Sequence, residues 1–207
     1  MFREIRLKLW ASLSCAVFLV VAIIGYGLHG GNCQNPGFIG AGTTVYKIDS
    51  QGEVHLLLAY ERGRGWTSFG GGPKPLTEAD SQCESPRQTA VRETLEESRL
   101  LLDEALLHSA VKDAKSYANA TEKGDYITFV IAVNDDLDLS AYDRVKLPND
   151  PGYYETSGVA WVPLKHIRKQ GRNVATPNGE PLWSVFHQQF EAMLTAKPEP
   201  YWFENTP

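Results

Sequence analysis

The sequence predicts one α/β (α+β) domain preceded by one N-terminal transmembrane helix. The chain has 207 residues, 43% hydrophobic and 22% charged, which suffices for one globular core and little more. Behind the N-terminal stretch, apolar runs with strand alternation are interspersed with runs at helical spacing, the pattern of a mixed sheet packed on helices. From Leu9 to Leu28, 20 consecutive residues carry no formal charge. A disordered tail and a disulfide-dense miniprotein are both excluded by this composition.

At 1.5 Å per residue, a helix over Leu9 to Leu28 reaches about 30 Å, the thickness of a hydrocarbon core. Residues 1–8 hold Arg3, Arg6 and Lys8 against Glu4, a net +2. The next cation after the span is Lys47. The positive-inside rule then puts the N-terminus in the cytoplasm and the folded body outside it. The expected organisation is a cytoplasmic basic flank at 1–8, a transmembrane signal-anchor at 9–28, a linker at 29–37 and the folded domain at 38–207. Gly25-Tyr26-Gly27 offers small residues without an A-x-A cleavage site, so an uncleaved single-pass anchor is expected, with secretion the outcome if the segment is cut. Cys15 lies in the span, whereas Cys33 and Cys83 fall in the body and are free to pair in an oxidising compartment. Asn119-Ala120-Thr121 is an acceptor tripeptide for glycosylation that decides nothing.

Within the body, Thr43 to Ile48 and Glu53 to Tyr60 are β-rich runs separated by Asp49-Ser50-Gln51-Gly52, a hairpin signal. A turn-rich passage, Gly63 to Trp66, leads to Phe69-Gly70-Gly71-Gly72 and a polar loop ending at Cys83. A helix follows. Ser85 is placed to N-cap it, Pro86 takes the first helical position, and Gln88 completes a capping box. Ala90, Val91, Thr94, Leu95 and Ser98 share its inward side. Asp125 to Val133 is a strand apolar on both faces, hence central. Val159 to Val162 is a further strand running into a short helix near Pro163 to Lys169. Pro181 to Thr195 closes the domain as an amphipathic helix with Leu182, Val185, Phe186, Phe190 and Met193 on its apolar side.

Charge narrows the chemistry. Without the basic flank the body stands at -7, a poor match for duplex nucleic acid, so no such partner is expected. Phosphate chemistry on this body requires metal ions. Glu93, Glu96 and Glu97 sit at i, i+3 and i+4 of the expected helix, with their carboxylates on one face. Alone, such a string most often means a solvated acidic surface. Three like charges so placed repel, and hard divalent cations with oxygen ligands are the natural compensation. Arg92 and Glu84 lie upstream, where a guanidinium pairs with a carboxylate and steers the cluster. There is no Cys-x-x-Cys, His-Glu-x-x-His or Gly-x-Ser-x-Gly, and Gly71 takes the position a P-loop gives to lysine; zinc and serine-hydrolase chemistry are not expected.

These residues resemble the Nudix hydrolase family, whose box reads G-x5-E-x7-R-E-U-x-E-E-x-G-U with U aliphatic. Glu84 is followed by seven residues and then by Arg92-Glu93-Thr94-Leu95-Glu96-Glu97-Ser98-Arg99-Leu100. Every acidic position and the arginine match. Trp66 to Gly72 looks like the family's approach to the box, with Gly70 in place of proline and Gly72 as the box glycine. The chain departs at three places. Residues 73–83 separate Gly72 from Glu84, six more than the family's five; Thr94 replaces an aliphatic residue; and Arg99 stands where the family has glycine. Without that glycine the helix either stops differently or runs on through Leu100 to Leu102. The resemblance covers roughly Phe38 to Ile167, with Trp161-Val162-Pro163-Leu164 matching a late strand-to-helix turn.

The resemblance implies a Nudix-like mixed β-sheet sandwiched between helices over 38–207. It implies hydrolysis of the pyrophosphate bond in a nucleoside diphosphate linked to another moiety, with Mg²⁺ or Mn²⁺ as cofactor. Gly72, Glu93, Glu96 and Glu97 are the implied metal ligands, Glu93 or Glu96 the candidate base, and Glu84 and Arg92 the support of the site. Glu155, in the loop before Trp161, is a further candidate base. Arg62 and Arg64 are candidate phosphate donors, and Trp66, Tyr153 and Tyr154 either stack on a base or fill the core. The competing expectation is a catalytically idle Nudix-like module that binds a nucleotide or a protein.

Overall fold

The computed structural model describes residues 38–76, 82–133 and 137–203. The expected flank, membrane span and linker at 1–37 lie outside the described residues; among those described, no helix is long and apolar enough to cross a membrane.

The sheet is built around its first strand. Strand β1 (Phe38–Ile48) turns through Asp49 into β2 (Val54–Glu61). Asp49 Oδ1 accepts from the Gln51 and Glu53 amides, both at 2.9 Å, which closes the expected turn. The two strands pair antiparallel only where they are nearest the turn, from Ile48 opposite Val54 to Val45 opposite Leu57. Beyond that point they diverge like the arms of a Y. Strand β3 (Gly65–Thr67) lines the β2 arm, with Ala59 opposite Thr67, and β4 (Phe69–Gly71) lines the β1 arm, with Ala41 opposite Gly71. Only Ser68 separates β3 from β4, so one short segment fills the fork.

Helix α1 (Pro86–Glu97) follows, then α2 (Glu104–Asp113), β5 (Lys115–Thr121) and β6 (Gly124–Ala132). Strand β6 runs parallel to β1, with Thr43 opposite Phe129, and is flanked on its other edge by antiparallel β5, so its interior position matches its apolar sequence. Two 3-10 turns, Leu139–Asp143 and Pro151–Tyr154, lead to β7 (Thr156–Pro163), which pairs antiparallel along the outer edge of β2. Helices α3 (Leu164–Gln170), α4 (Ser184–Ala196) and α5 (Glu199–Trp202) end the described chain.

Each face of the sheet buries its own core. Ala90, Val91 and Leu95 of α1 and Leu107 and Val111 of α2 pack with Val45, Leu57, Phe69 and Phe129. Phe186, Phe190 and Met193 of α4 pack on the opposite face with Tyr46, Leu56, Val162 and Ile167. This is the expected mixed sheet between helices.

Of the two ends open to helix α1, the chain takes the different stop and does not run on. Arg99 and Leu100 adopt φ of 53° and 60°, and the amides of Leu100 and Arg99 bond to the carbonyls of Leu95 (2.9 Å) and Glu96 (3.1 Å). This is the double bond of a Schellman stop, made without glycine. The αL conformation costs an L-residue about 1–2 kcal/mol, and the Arg99 side chain offsets it: Nη2 donates to the Thr156 carbonyl at 2.7 Å and the guanidinium lies 4.3 Å from the Tyr142 ring centroid. Thr94 in place of an aliphatic residue is satisfied, since its Oγ1 bonds to Thr43 Oγ1 (2.8 Å) and donates to the Ala90 carbonyl (2.6 Å). Val185 does not join the core but is 40% exposed. Helix α2 and strand β5 are additional to the elements expected above.

Candidate functional site

The start of α1 is fixed by its own sequence. The Gln88 amide donates to Ser85 Oγ (3.4 Å) and the Ser85 amide donates to Gln88 Oε1 (2.8 Å), with Pro86 in the first turn. The extra residues between Gly72 and Glu84 do not displace this start, because they leave and return through paired backbone. The Glu84 amide donates to the Lys74 carbonyl at 2.9 Å, the Leu76 amide to the Gln82 carbonyl at 2.9 Å, and Pro75 bridges antiparallel to Cys83. The insertion is therefore a side excursion whose two feet stand together. Cys83 is disulfide-bonded; Cys15 and Cys33 lie outside the described residues.

Arg92 is the hub. Its Nε donates to Glu84 Oε1 (2.7 Å) and its Nη2 to Glu84 Oε2 (2.9 Å), the two-pronged geometry that a guanidinium makes with a carboxylate. Nη2 also donates to the Gly72 carbonyl (2.7 Å), and Nη1 to Glu93 Oε1 (2.8 Å) and Glu96 Oε2 (3.0 Å). Glu96 takes a second cation, Lys74 Nζ, at 3.0 Å. Glu97, 2% exposed, is reached by neither; its Oε2 accepts from the Gly70 amide at 2.8 Å. Glycine provides the room: a Cβ on Gly71 would stand 2.4 Å from Glu93 Oε1, and one on Gly152 would stand 2.5 Å from Glu96 Oε2.

The electrostatics follow from this enclosure. Burial pushes the Glu93 carboxyl up to about 7, against the pull of Arg92, and the charge of Glu96 adds to the rise. Burial likewise raises Glu97 well above the ordinary range, opposed by the Gly70 amide and reinforced by Glu93, Glu61 and Glu155. Glu84 moves the other way, because Arg92 and the Lys74 amide outweigh its burial. Four enclosed carboxylates thus share two cations, Arg92 and Lys74, an imbalance that a bound proton or a further cation would relieve. In the present arrangement, among the described residues, no three acidic, cysteine or histidine groups converge on one point. The Gly72 carbonyl faces Arg92 rather than the glutamates.

The remaining predicted site residues separate. Trp66 is 3% exposed and fills the core, with Nε1 donating to Asn178 Oδ1 at 2.7 Å. Arg62 is exposed and makes no ion pair among the described residues. Glu155 is exposed at the end of the second 3-10 turn, and Tyr154 is exposed beside it. Arg64 lines a cavity of about 560 Å³ in the mouth of the Y, along with Glu61, Gly70, Gly71, Tyr126 and Trp183. Gly70 thus borders this cavity and binds Glu97 through its amide. Lys74, Glu61 and Trp183 join the site without a signal in the local sequence. Lys74 lies within the irregular insertion, and the segment carrying Trp183 is joined to β3 by backbone bonds far apart in sequence, the Trp66 amide to the Pro181 carbonyl (3.0 Å) and the Trp183 amide to the Trp66 carbonyl (2.8 Å).

No family model matches the sequence, and no curated protein matches it. Solved structures do. A binary complex of the C. elegans Ap4A hydrolase is 19% identical, with a TM-score of 0.43 over 76% of this chain and 98% of that one. A Nudix hydrolase from M. smegmatis, RenU, is 16% identical, with a TM-score of 0.42 over 78% and 88%. The NUDIX domain of Shewanella oneidensis NrtR, complexed with ADP ribose, is 15% identical, with a TM-score of 0.43 over 83% and 96%.

Proposed function

We propose that this chain is a Nudix-type pyrophosphohydrolase, acting with Mg²⁺ or Mn²⁺ on a nucleoside diphosphate linked to a second group. One observation carries the reading: the box glutamates are enclosed on one helix face, organised by Arg92, and joined to a cavity through Gly70. A surface acidic stripe would be solvated; this one is buried and short of cations. Glu93, Glu96 and Glu97 would hold the metal. When bound, a hard divalent cation supplies the charge that neutralises a diphosphate and makes water acidic enough to attack phosphorus.

The chain's own groups do the rest. Arg92 orients Glu93 and Glu96 by a shared nitrogen and is itself fixed by Glu84. Glu93 carries one ion pair where Glu96 carries two, so Glu93 is the better placed to take a proton from water. Glu97 is locked to the Gly70 amide and serves as ligand only. Arg64 lines the cavity and Arg62 does not, so Arg64 is the better placed of the two to meet substrate.

The domain is proposed to lie outside the cytoplasm, tethered by residues 9–28. The charge pattern of that segment supports this, as does a disulfide at Cys83, since disulfides persist in oxidising compartments. A topology reporter at the C-terminus that registers a cytoplasmic location would refute it. For the activity, the full chain is incubated with a panel of nucleoside diphosphate derivatives and Mg²⁺ or Mn²⁺. Release of a nucleoside monophosphate is expected; nucleotide binding without turnover across the panel would instead establish the idle module, in which Arg92 and Lys74 occupy the carboxylates permanently.

A further inference from the structure

We infer that the cavity in the mouth of the Y is a nucleobase subsite that reads the donor edge of guanine through Glu61. The inference rests on the nucleotide reading above and adds to it which base is accepted. Glu61 ends β2, is 7% exposed, and lines the cavity. Its Oε2 accepts from Arg64 Nη1 at 2.6 Å, and its Oε1 takes no hydrogen bond from any described residue. Oε1 is open to solvent on the cavity side, so a ligand donor reaches it by displacing water. The wall beside it suits a flat ring: the Arg64 guanidinium lies 5.2 Å from the Trp183 ring centroid, so carboxylate, guanidinium and indole form one continuous surface. Tyr126 also lines the cavity, and a Cβ on Gly70 would meet its hydroxyl at 2.1 Å, so glycine at 70 is what admits it. The volume of about 560 Å³ exceeds a nucleoside and lies within the range of small-molecule sites.

The carboxylate decides among bases. Guanine presents N1–H and N2–H₂ side by side, two donors for one carboxylate, and each carboxylate oxygen has lone pairs to spare beyond the Arg64 bond. Adenine presents one donor beside the N1 acceptor, and cytosine one donor beside N3; either sets a lone pair against Glu61. Uracil offers one N–H between two carbonyls. A two-donor match to one side chain discriminates by roughly 5- to 150-fold.

The test is independent of hydrolysis. The full chain is titrated calorimetrically with GMP, IMP and AMP in the presence of EDTA. GMP is expected to bind at least about tenfold more tightly than AMP. IMP, which keeps N1–H and lacks the 2-amino group, is expected to fall between them. Glu61→Gln, which offers one acceptor and one donor pair, should bring GMP and AMP to within about threefold of each other. Equal affinity for the three ligands overturns the inference, as does an undiminished GMP preference in Glu61→Gln; the ligand series decides even if that variant does not fold. Loss of turnover with the GMP preference retained would fell the hydrolase reading alone.

Discussion

The two faces of the sheet are held in different ways. Under α3, α4 and α5 the contacts are apolar and aromatic: Tyr46 meets Phe203 edge-on at 5.1 Å, Phe186 meets Phe190 at 5.6 Å, and Tyr117 meets Trp202 at 6.3 Å. Beside α1, the same sheet encloses Glu84, Glu93, Glu96 and Glu97 with one arginine at their centre. Apolar burial is non-directional, so shape-conserving changes on the first face are tolerated. The second face adds directed pairings to an apolar core of its own, and there the loss of one partner strands several charges at once.

Two truncations separate these modes most sharply. Arg92→Ala leaves Glu84, Glu93, Glu96 and the Gly72 carbonyl without their donor and should cost about 3–5 kcal/mol in denaturant unfolding, the penalty for breaking a buried pair. Phe190→Ala should cost a similar 3–5 kcal/mol through its cavity. The contrast lies in the response to Mn²⁺. Added metal should recover part of the stability of Arg92→Ala, by compensating the stranded carboxylates, and should change Phe190→Ala no more than it changes the parent chain.

A smaller effect comes from protons. Glu93 titrates near 7 when folded and at 4.5 when unfolded, so between these values the folded chain binds more protons than the unfolded one. Metal-free stability should therefore fall as pH rises from 5 to 7.5, by up to roughly 3 kcal/mol from this group. Glu97 acts in the same direction, and Glu84, whose affinity for protons is lowered, opposes it only at more acidic pH. Thermal melts in EDTA across this range measure the slope, and Glu93→Gln should flatten it. A slope of the opposite sign would mean that Glu93 is stabilised as a carboxylate.

Much of the acidic face was legible because it is local. Helical spacing alone aligns Glu93, Glu96 and Glu97, and Ser85, Pro86 and Gln88 mark where the helix begins. The cavity was not legible, since Glu61, Tyr126 and Trp183 come from separate elements and meet only where β1 and β2 diverge. Helix α2 did carry a signal, with Asp103 Oδ1 accepting from the Leu106 amide at 2.9 Å and Leu107 and Val111 four residues apart facing the core. Strand β5 carried less, because at the sheet edge its residues are half-buried at most. The end of α1 could not be read at all: whether a helix stops at arginine depends on Thr156 and Tyr142, which lie far along the chain.

That stop gives the smallest expected difference. Arg99→Ala and Arg99→Gly both lose the contacts to Thr156 and Tyr142, but alanine keeps the strained φ and glycine relieves it. The glycine variant should be the more stable of the two by about 1 kcal/mol. Equal stabilities would show that φ near 53° carries no strain here.

The central claim is that the carboxylates beside α1 form a cation site serving hydrolysis. Its most direct test is Mn²⁺ binding to the full chain, followed by electron paramagnetic resonance, in the parent and in a Glu96→Gln, Glu97→Gln double variant. The parent should bind Mn²⁺, and the double variant should lose that binding together with turnover. Binding and turnover undiminished in the double variant would contradict the claim.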